Sequence, residues 1–163
     1  MSTYAPPTAQ ERLAILRRTR SVAVVGMSAD PSKASYFVAT YLLSSSCSFD
    51  HVWFVNPRGG EVLGRQVHRS LAELPGTPDL VCVFRRSADL PSVAEEVVAI
   101  PGTSTFWAQL GLWSDDAAAI AESAGRRAVM DRCLKIEHAR FAGGLHLAGF
   151  DTGVISSRRR PEL

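Results

Sequence analysis

The chain has 163 residues, 46% of them hydrophobic and 21% charged, and its net charge is +2. That length and balance suit one ordinary globular domain able to bury ~70% of its unfolded surface. The charge is too small for a nucleic-acid binder working through bulk electrostatics, so any functional positive charge must be local.

Cysteine usage points the same way. Cys47, Cys82 and Cys133 are odd in number and widely spaced, with no CxxC pair. This pattern argues against a disulfide framework and against a zinc site, and it suits a reducing cytoplasm. Near the N-terminus Glu11, Arg12, Arg17 and Arg18 interrupt the apolar residues, so no secretory core is expected there. No apolar run approaches the ~20 residues that span a bilayer. The expectation is a soluble, cytoplasmic protein without membrane or nucleic-acid partners.

In chain order, Thr8 and Glu11 form a capping-box pattern ahead of Leu13 and Leu16, with Arg17, Arg18 and Arg20 at the cation-favouring end of a first helix. Val22-Ala23-Val24-Val25 is a continuous apolar run ended by Gly26, the pattern of a strand buried on both faces. Phe37, Val38, Tyr41 and Leu42 follow at helical spacing, with Ser35 placed to cap. Val52 to Val55 reads as a second strand stopped by Asn56-Pro57, and Arg65 to His68 as a short third. Leu80 to Phe84 is a fourth strand. A helix with Pro91 in its first turn follows, and Pro101-Gly102 closes it. Ser104 to Trp107 is a fifth strand, and Ser114 to Ala124 a helix with acidic residues at its start and Gly125 at its end. Ala128 to Met130 is a sixth strand, followed by a helix near Leu134 to Phe141.

Strands alternating with helices predict an α/β, Rossmann-like, doubly wound and mostly parallel sheet of five to six strands in the order 3-2-1-4-5-6. Helices should cover both faces, and ligands should enter beyond the carboxyl ends of strands 1 and 4. One domain is expected over 1–163, with its core at about 8–141 and an irregular extension over 142–163. The apolar stretch Leu145 to Phe150 with Val154-Ile155 is expected to pack on the body or on a second subunit, and Arg158 to Arg160 to be solvated.

The loop after strand 1, Gly26 to Ser35, offers amides, hydroxyls and a helix start to a phosphate, with Lys33 as a point charge. The dinucleotide fingerprint GxGxxG is absent. In place of the acid that holds an NAD ribose, strand 2 ends in Asn56-Pro57-Arg58. Lys33, Arg58, Arg85 and Arg86 all follow the carboxyl ends of strands 1, 2 and 4, which adjoin in the expected order. Such a cluster suits a ligand with several phosphates, although arginines and lysines are also ordinary solvated surface charges.

These stretches carry a resemblance. VAVVGMSADPSKASYFVATYL, VNPRGGEVLGRQVHRSLAELP, DLVCVFRRSADLP, FWAQLGLWSDDAAAIAESAG and VMDRCLKIEH run in order over about 10–141. Together they resemble the small CoA-binding domain family of the YccU type, related to the N-terminal domain of the succinyl-CoA synthetase alpha subunit. The resemblance implies a site for CoA or acyl-CoA. Gly26, Met27, Ser28, Lys33, Ser35 and Tyr36 would line it from the first loop, Asn56, Pro57 and Arg58 from after strand 2, and Phe84, Arg85 and Arg86 from after strand 4. The pantetheine arm would run towards Gln109 and Gly111. Met27, Phe84, Trp107 and Leu110 would be its apolar walls or plain core. The synthetases also need a second domain with a phosphorylated histidine, so that activity is not expected here.

Asp131 to His138 is the most tempting catalytic string, with Cys133 as nucleophile and His138 as partner. Five residues apart on a helix, however, they face different ways, and with Asp131 they match no standard metal spacing. The string reads instead as a helix start facing the crevice, with no catalytic and no metal residues assigned. Trp53, Phe54, Phe106 and Trp107 read as core. The expected function is a CoA or acyl-CoA carrier, sensor or regulatory module. An NAD(P)-dependent oxidoreductase, or an acyl-CoA enzyme completed by a partner chain, is the enzymatic alternative. A structural subunit with an empty crevice is a third reading, and a homodimer or a partner enzyme is the candidate assembly.

Overall fold

The structure, a computed structural model, describes residues 4–141. Helix α1 (Ala9–Arg18) starts with the expected capping box: Glu11 N donates to Thr8 Oγ1 (3.1 Å) and Thr8 N to Glu11 Oε1 (2.8 Å). Strand β1 (Ser21–Val25) is buried throughout. It lies between β2 (His51–Val55) and β5 (Leu80–Val83), with both pairings parallel and Val22 aligned with both Val52 and Leu80.

The sheet has seven strands in the order β3-β4-β2-β1-β5-β6-β7. Those expected from the sequence are β1, β2, β4 (Arg65–His68), β5, β6 (Thr105–Ala108) and β7 (Arg127–Val129). They are parallel and adjoin in the expected order. The additional strand, β3 (Glu61–Val62), pairs antiparallel with β4 at the edge. Leu63 (φ 53°) and Gly64 (φ 75°) join them, both in the left-handed region that a tight two-residue hairpin turn requires. Leucine is a poor residue for that geometry, so the turn left no signature in the sequence.

Alternation along the strands divides the core into two layers. Val22, Val24, Phe54, Cys82 and Trp107 face Ile15 and Leu16 of α1, Val38 and Leu42 of α2 (Ala34–Leu42), and Leu134 of α5 (Leu134–Ala139). Ala23, Val25, Val81, Val83 and Phe106 face α3 (Leu90–Val98), with its first-turn proline, and α4 (Asp115–Ser123). Complete burial of each valine or larger side chain contributes about 1.5–3 kcal/mol, so the sheet's centre is the most strongly held part of the fold. Trp53 departs from the core reading. It is only half-buried, its ring stacks on His51 (centroids 5.0 Å apart), and a Cβ on Gly76 would come within 2.9 Å of it.

Ser35 does not cap α2. Lys33 holds the N-cap without a side-chain bond, and buried Ser35 lies in the first turn, where its Oγ accepts from Ser28 N (3.0 Å). The loop's own amide competes successfully for the hydroxyl. No helix among the described residues is long and apolar enough to cross a membrane. The extension over 142–163, with its apolar stretch and its arginines, lies outside the described residues.

Candidate functional site

The carboxyl ends of β1 and β5 open into a cleft of about 600 Å³. Its floor depends on Gly26, whose φ is +87° and whose missing Cβ would lie 2.4 Å from the Phe84 carbonyl oxygen. The loops after the two strands can approach this closely only around a bare Cα. Gly26 N and Met27 N both donate to Val55 O (2.9 and 3.2 Å), and Phe84 N donates to Val25 O (2.8 Å), tying three strand ends together.

Side-chain bonds set the shape of the first loop. Ser28 Oγ accepts from Asp30 N (3.0 Å), and Asp30 Oδ1 accepts from Ser32 N (2.9 Å) and Ser32 Oγ (2.8 Å). Those bonds, the backbone one first, hold the Asp30 carboxyl below its ordinary value. The loop delivers the chain to the start of α2, whose first amides have no partner within the helix and whose dipole favours an anion.

Eight of the thirteen residues expected at the site line this cleft: Gly26, Ser28, Lys33, Ser35, Phe84, Arg85, Arg86 and Gln109. The other five lie behind or beside it. The Met27 side chain is buried in the core and Tyr36 packs against that same core layer. Asn56 works as a stitch: its Nδ2 donates to Met27 O (2.8 Å), its Oδ1 accepts from Arg58 N (2.9 Å), and its backbone N donates to His68 O (2.8 Å). Pro57 and Arg58 are exposed outside the lining.

Arg85 and Arg86 share Asp89, at 3.5 and 3.2 Å, with side chains 38% and 83% exposed. These contacts, Arg86's hydrogen bond first, hold the Asp89 carboxyl below its ordinary value. Gln109 is buried with both ends of its amide in use: Nε2 donates to Cys82 Sγ (2.9 Å) and Oε1 accepts from Leu134 N (3.2 Å). Gln109 therefore joins β5 to the start of α5 and forms a wall of the cleft. Burial pushes the Cys82 thiol well above its ordinary value. Gly111 N donates to Oδ1 of Asp131 (2.7 Å), itself at φ 60°, and Trp107 Nε1 donates to Arg132 O (2.8 Å). Trp107 is thereby core rather than wall, while Leu110 lines the cleft.

Cys133 holds the N-cap position of α5 without a side-chain bond and lines the cleft. The ring of His138 turns elsewhere: its Nδ1 shares a hydrogen bond with the Tyr41 hydroxyl (2.8 Å), and Cys47 Sγ lies 3.9 Å away. Phe37, Leu112 and Ile136 also line the cleft and were not anticipated. Phe37 sits in an apolar helical pattern beside Val38, Tyr41 and Leu42, which on its own reads as core.

Residues 20–139 match the family model described as a CoA binding domain. The chain belongs to this family. It is 38% identical over 133 residues to the uncharacterised protein YneT of Bacillus subtilis, a match covering 82% of this chain and 96% of YneT. It is also 32% identical over 108 residues to the alpha subunit of the ADP-forming acetate–CoA ligase I of Pyrococcus furiosus. That match covers 61% of this chain but 23% of the subunit, so the CoA-binding domain corresponds to about a quarter of the larger protein. Among solved structures, the Thermus thermophilus protein called cell-free ID.343 superposes with a TM-score of 0.73 at 33% identity. The match covers 82% of this chain and 98% of that one.

The residues present fit the group that the family implies. A close-approach glycine, the start of α2, two arginines and a lysine line one cleft, as a polyphosphate needs, and the apolar Phe37, Leu110 and Ile136 line it too.

Proposed function

We propose that this CoA-binding domain holds CoA in the cleft beyond β1 and β5 and acts as a carrier, sensor or regulatory module without complete catalytic machinery of its own. The observation that carries this reading is the convergence of Gly26, Lys33, Arg85 and Arg86 on one cleft from two separated loops. Phosphate groups would meet the loop amides, the start of α2 and the cations, and the pantetheine arm would run towards Gln109 and Gly111. The end of β2 favours CoA over a nicotinamide dinucleotide. Asn56 stands where an acid would grip the ribose, and its side chain is already committed to Met27 O and Arg58 N.

A second reading has its own support in the likeness to the acetate–CoA ligase alpha subunit: a partner chain would complete an acyl-CoA enzyme around this domain. Thermal unfolding with ligands tests the binding common to both. CoA at 100 times its dissociation constant should add ~2.7 kcal/mol of stability, with NAD and NADP doing much less at equal concentration. Equal shifts from CoA and NAD would return the domain to the oxidoreductases.

A further inference from the structure

Four large hydrophobic side chains are exposed among the described residues, and three of them, Phe37 (60%), Leu110 (65%) and Ile136 (47%), line the same cleft. The fourth, Trp113, is engaged elsewhere, packing edge-on against Tyr4 and donating from Nε1 to Asp115. Single exposed apolar residues need no explanation, but a convergent set beside a polar site does.

We propose that the ligand of this cleft is an acyl thioester of CoA, with a short aliphatic acyl chain covered by Phe37, Leu110 and Ile136. The inference rests on the CoA reading and names the form of CoA that the site selects. These side chains come from α2, the loop after β6 and α5, three separate elements, so the apolar region is built by the tertiary fold rather than by one hydrophobic stretch. Phe84 and Leu112 extend it.

The charge pattern orients the occupant. Lys33, Arg85 and Arg86 come from the β1 and β5 loops and favour the phosphates there, which directs the sulfur end towards the apolar walls. The pantetheine arm is a chain of amides ending in a thiol, and a free thiol would leave those walls in water. An acyl chain on the sulfur covers them. Lys135 lies over the rings of Phe37 (4.8 Å) and Tyr41 (5.4 Å), an arrangement that keeps its charge on aromatic faces.

Calorimetric titration with CoA, acetyl-CoA, butyryl-CoA and hexanoyl-CoA tests this. Each partly covered methylene should tighten binding about two- to fourfold, so hexanoyl-CoA should bind at least about tenfold tighter than acetyl-CoA. Leu110→Ser and Ile136→Ser, both at exposed positions, should narrow that ratio several-fold, with circular dichroism showing each variant folded. CoA binding with no gain along the acyl series would overturn the acyl proposal and leave the CoA reading standing. A chain-length gain that both variants retain would overturn the assignment to these walls. Binding of neither CoA nor any thioester would overturn both readings together.

Discussion

Asp89 and Glu137 each gather more than one arginine, and they do so in opposite surroundings. Glu137 is buried on α5 and meets Arg12 of α1 (2.7 Å), Arg140 (3.2 Å) and Arg132 (3.7 Å). Arg12 is itself buried, and its Nη1 donates to Pro7 O (2.9 Å). Asp89 holds Arg85 and Arg86 at the mouth of the cleft, where water reaches both guanidinium groups. A buried charge cannot lose its partner cheaply, whereas an exposed pair is worth little and can exchange one anion for another. Glu137 is thus a lock that fixes α5, and with it one wall of the cleft. Asp89 is a holder that keeps two arginines in place and can yield them to a phosphate.

The sharpest way to break this contrast is to remove each acid. Glu137→Ala leaves Arg12 buried without a carboxylate and should cost about 3–5 kcal/mol in urea unfolding. Asp89→Ala should hardly move the same transition, since its partners return to water. Equal losses would mean that burial is not what separates the two clusters.

Next in size is Gly26→Ala, which combines a left-handed φ with a Cβ 2.4 Å from a backbone oxygen. Strain of this kind costs of order 1–3 kcal/mol, and the cleft floor should shift, weakening CoA as well. Gly125→Ala is the control, because its φ is +81° but nothing lies within 4 Å of the new Cβ. It should lose stability and keep its affinity for CoA.

The cleft arginines should divide by depth. Arg85 is the less exposed, and its Cδ lies 3.3 Å from the Cβ position of Gly26, against the cradle itself. Truncating a charged partner costs ~2–5 kcal/mol of binding where the contact is buried and much less at a rim. Arg85→Ala should therefore weaken CoA well beyond Arg86→Ala in calorimetric titration, with both variants folded. Lys33→Ala should weaken binding less and flatten its salt dependence, as expected of a screened point charge.

What could be read in the sequence was whatever local pattern controls. Val22 to Val25 is apolar without interruption because β1 is covered on both faces, so strand, parallel sheet and crevice position followed from one stretch. Strand β3 was not legible, because two residues carry no period and Leu63 is not a turn former. The Glu137 lock was equally hidden, since Arg12 lies 125 residues away and reads only as a helix-surface cation. Within the site, Ser28, Lys33 and Arg85 were legible because loops at strand ends announce themselves. Phe37 and Ile136 were not, because an apolar residue on a helix looks the same whether it faces the core or a cleft.

The smallest effect concerns His138, next to Glu137 in sequence and opposite to it in logic. Glu137 meets three arginines in the interior. His138 has no carboxylate among its described partners, only Tyr41, the Cys47 thiol and the tilted ring of Phe49 (centroids 5.5 Å apart). Burial therefore holds the imidazole below its ordinary value of 6.5. A base depressed in the folded state favours folding while both states are neutral. As pH falls through about 6.5 the unfolded chain takes up the proton first, so stability declines until the folded value is also passed. His138→Gln has nothing to titrate there, so its unfolding midpoint should fall less between about pH 7.5 and 5.5 than that of the parent. A parent curve flat over that range, or a variant curve that falls as steeply, would show that the Tyr41–His138 contact accepts the proton without cost.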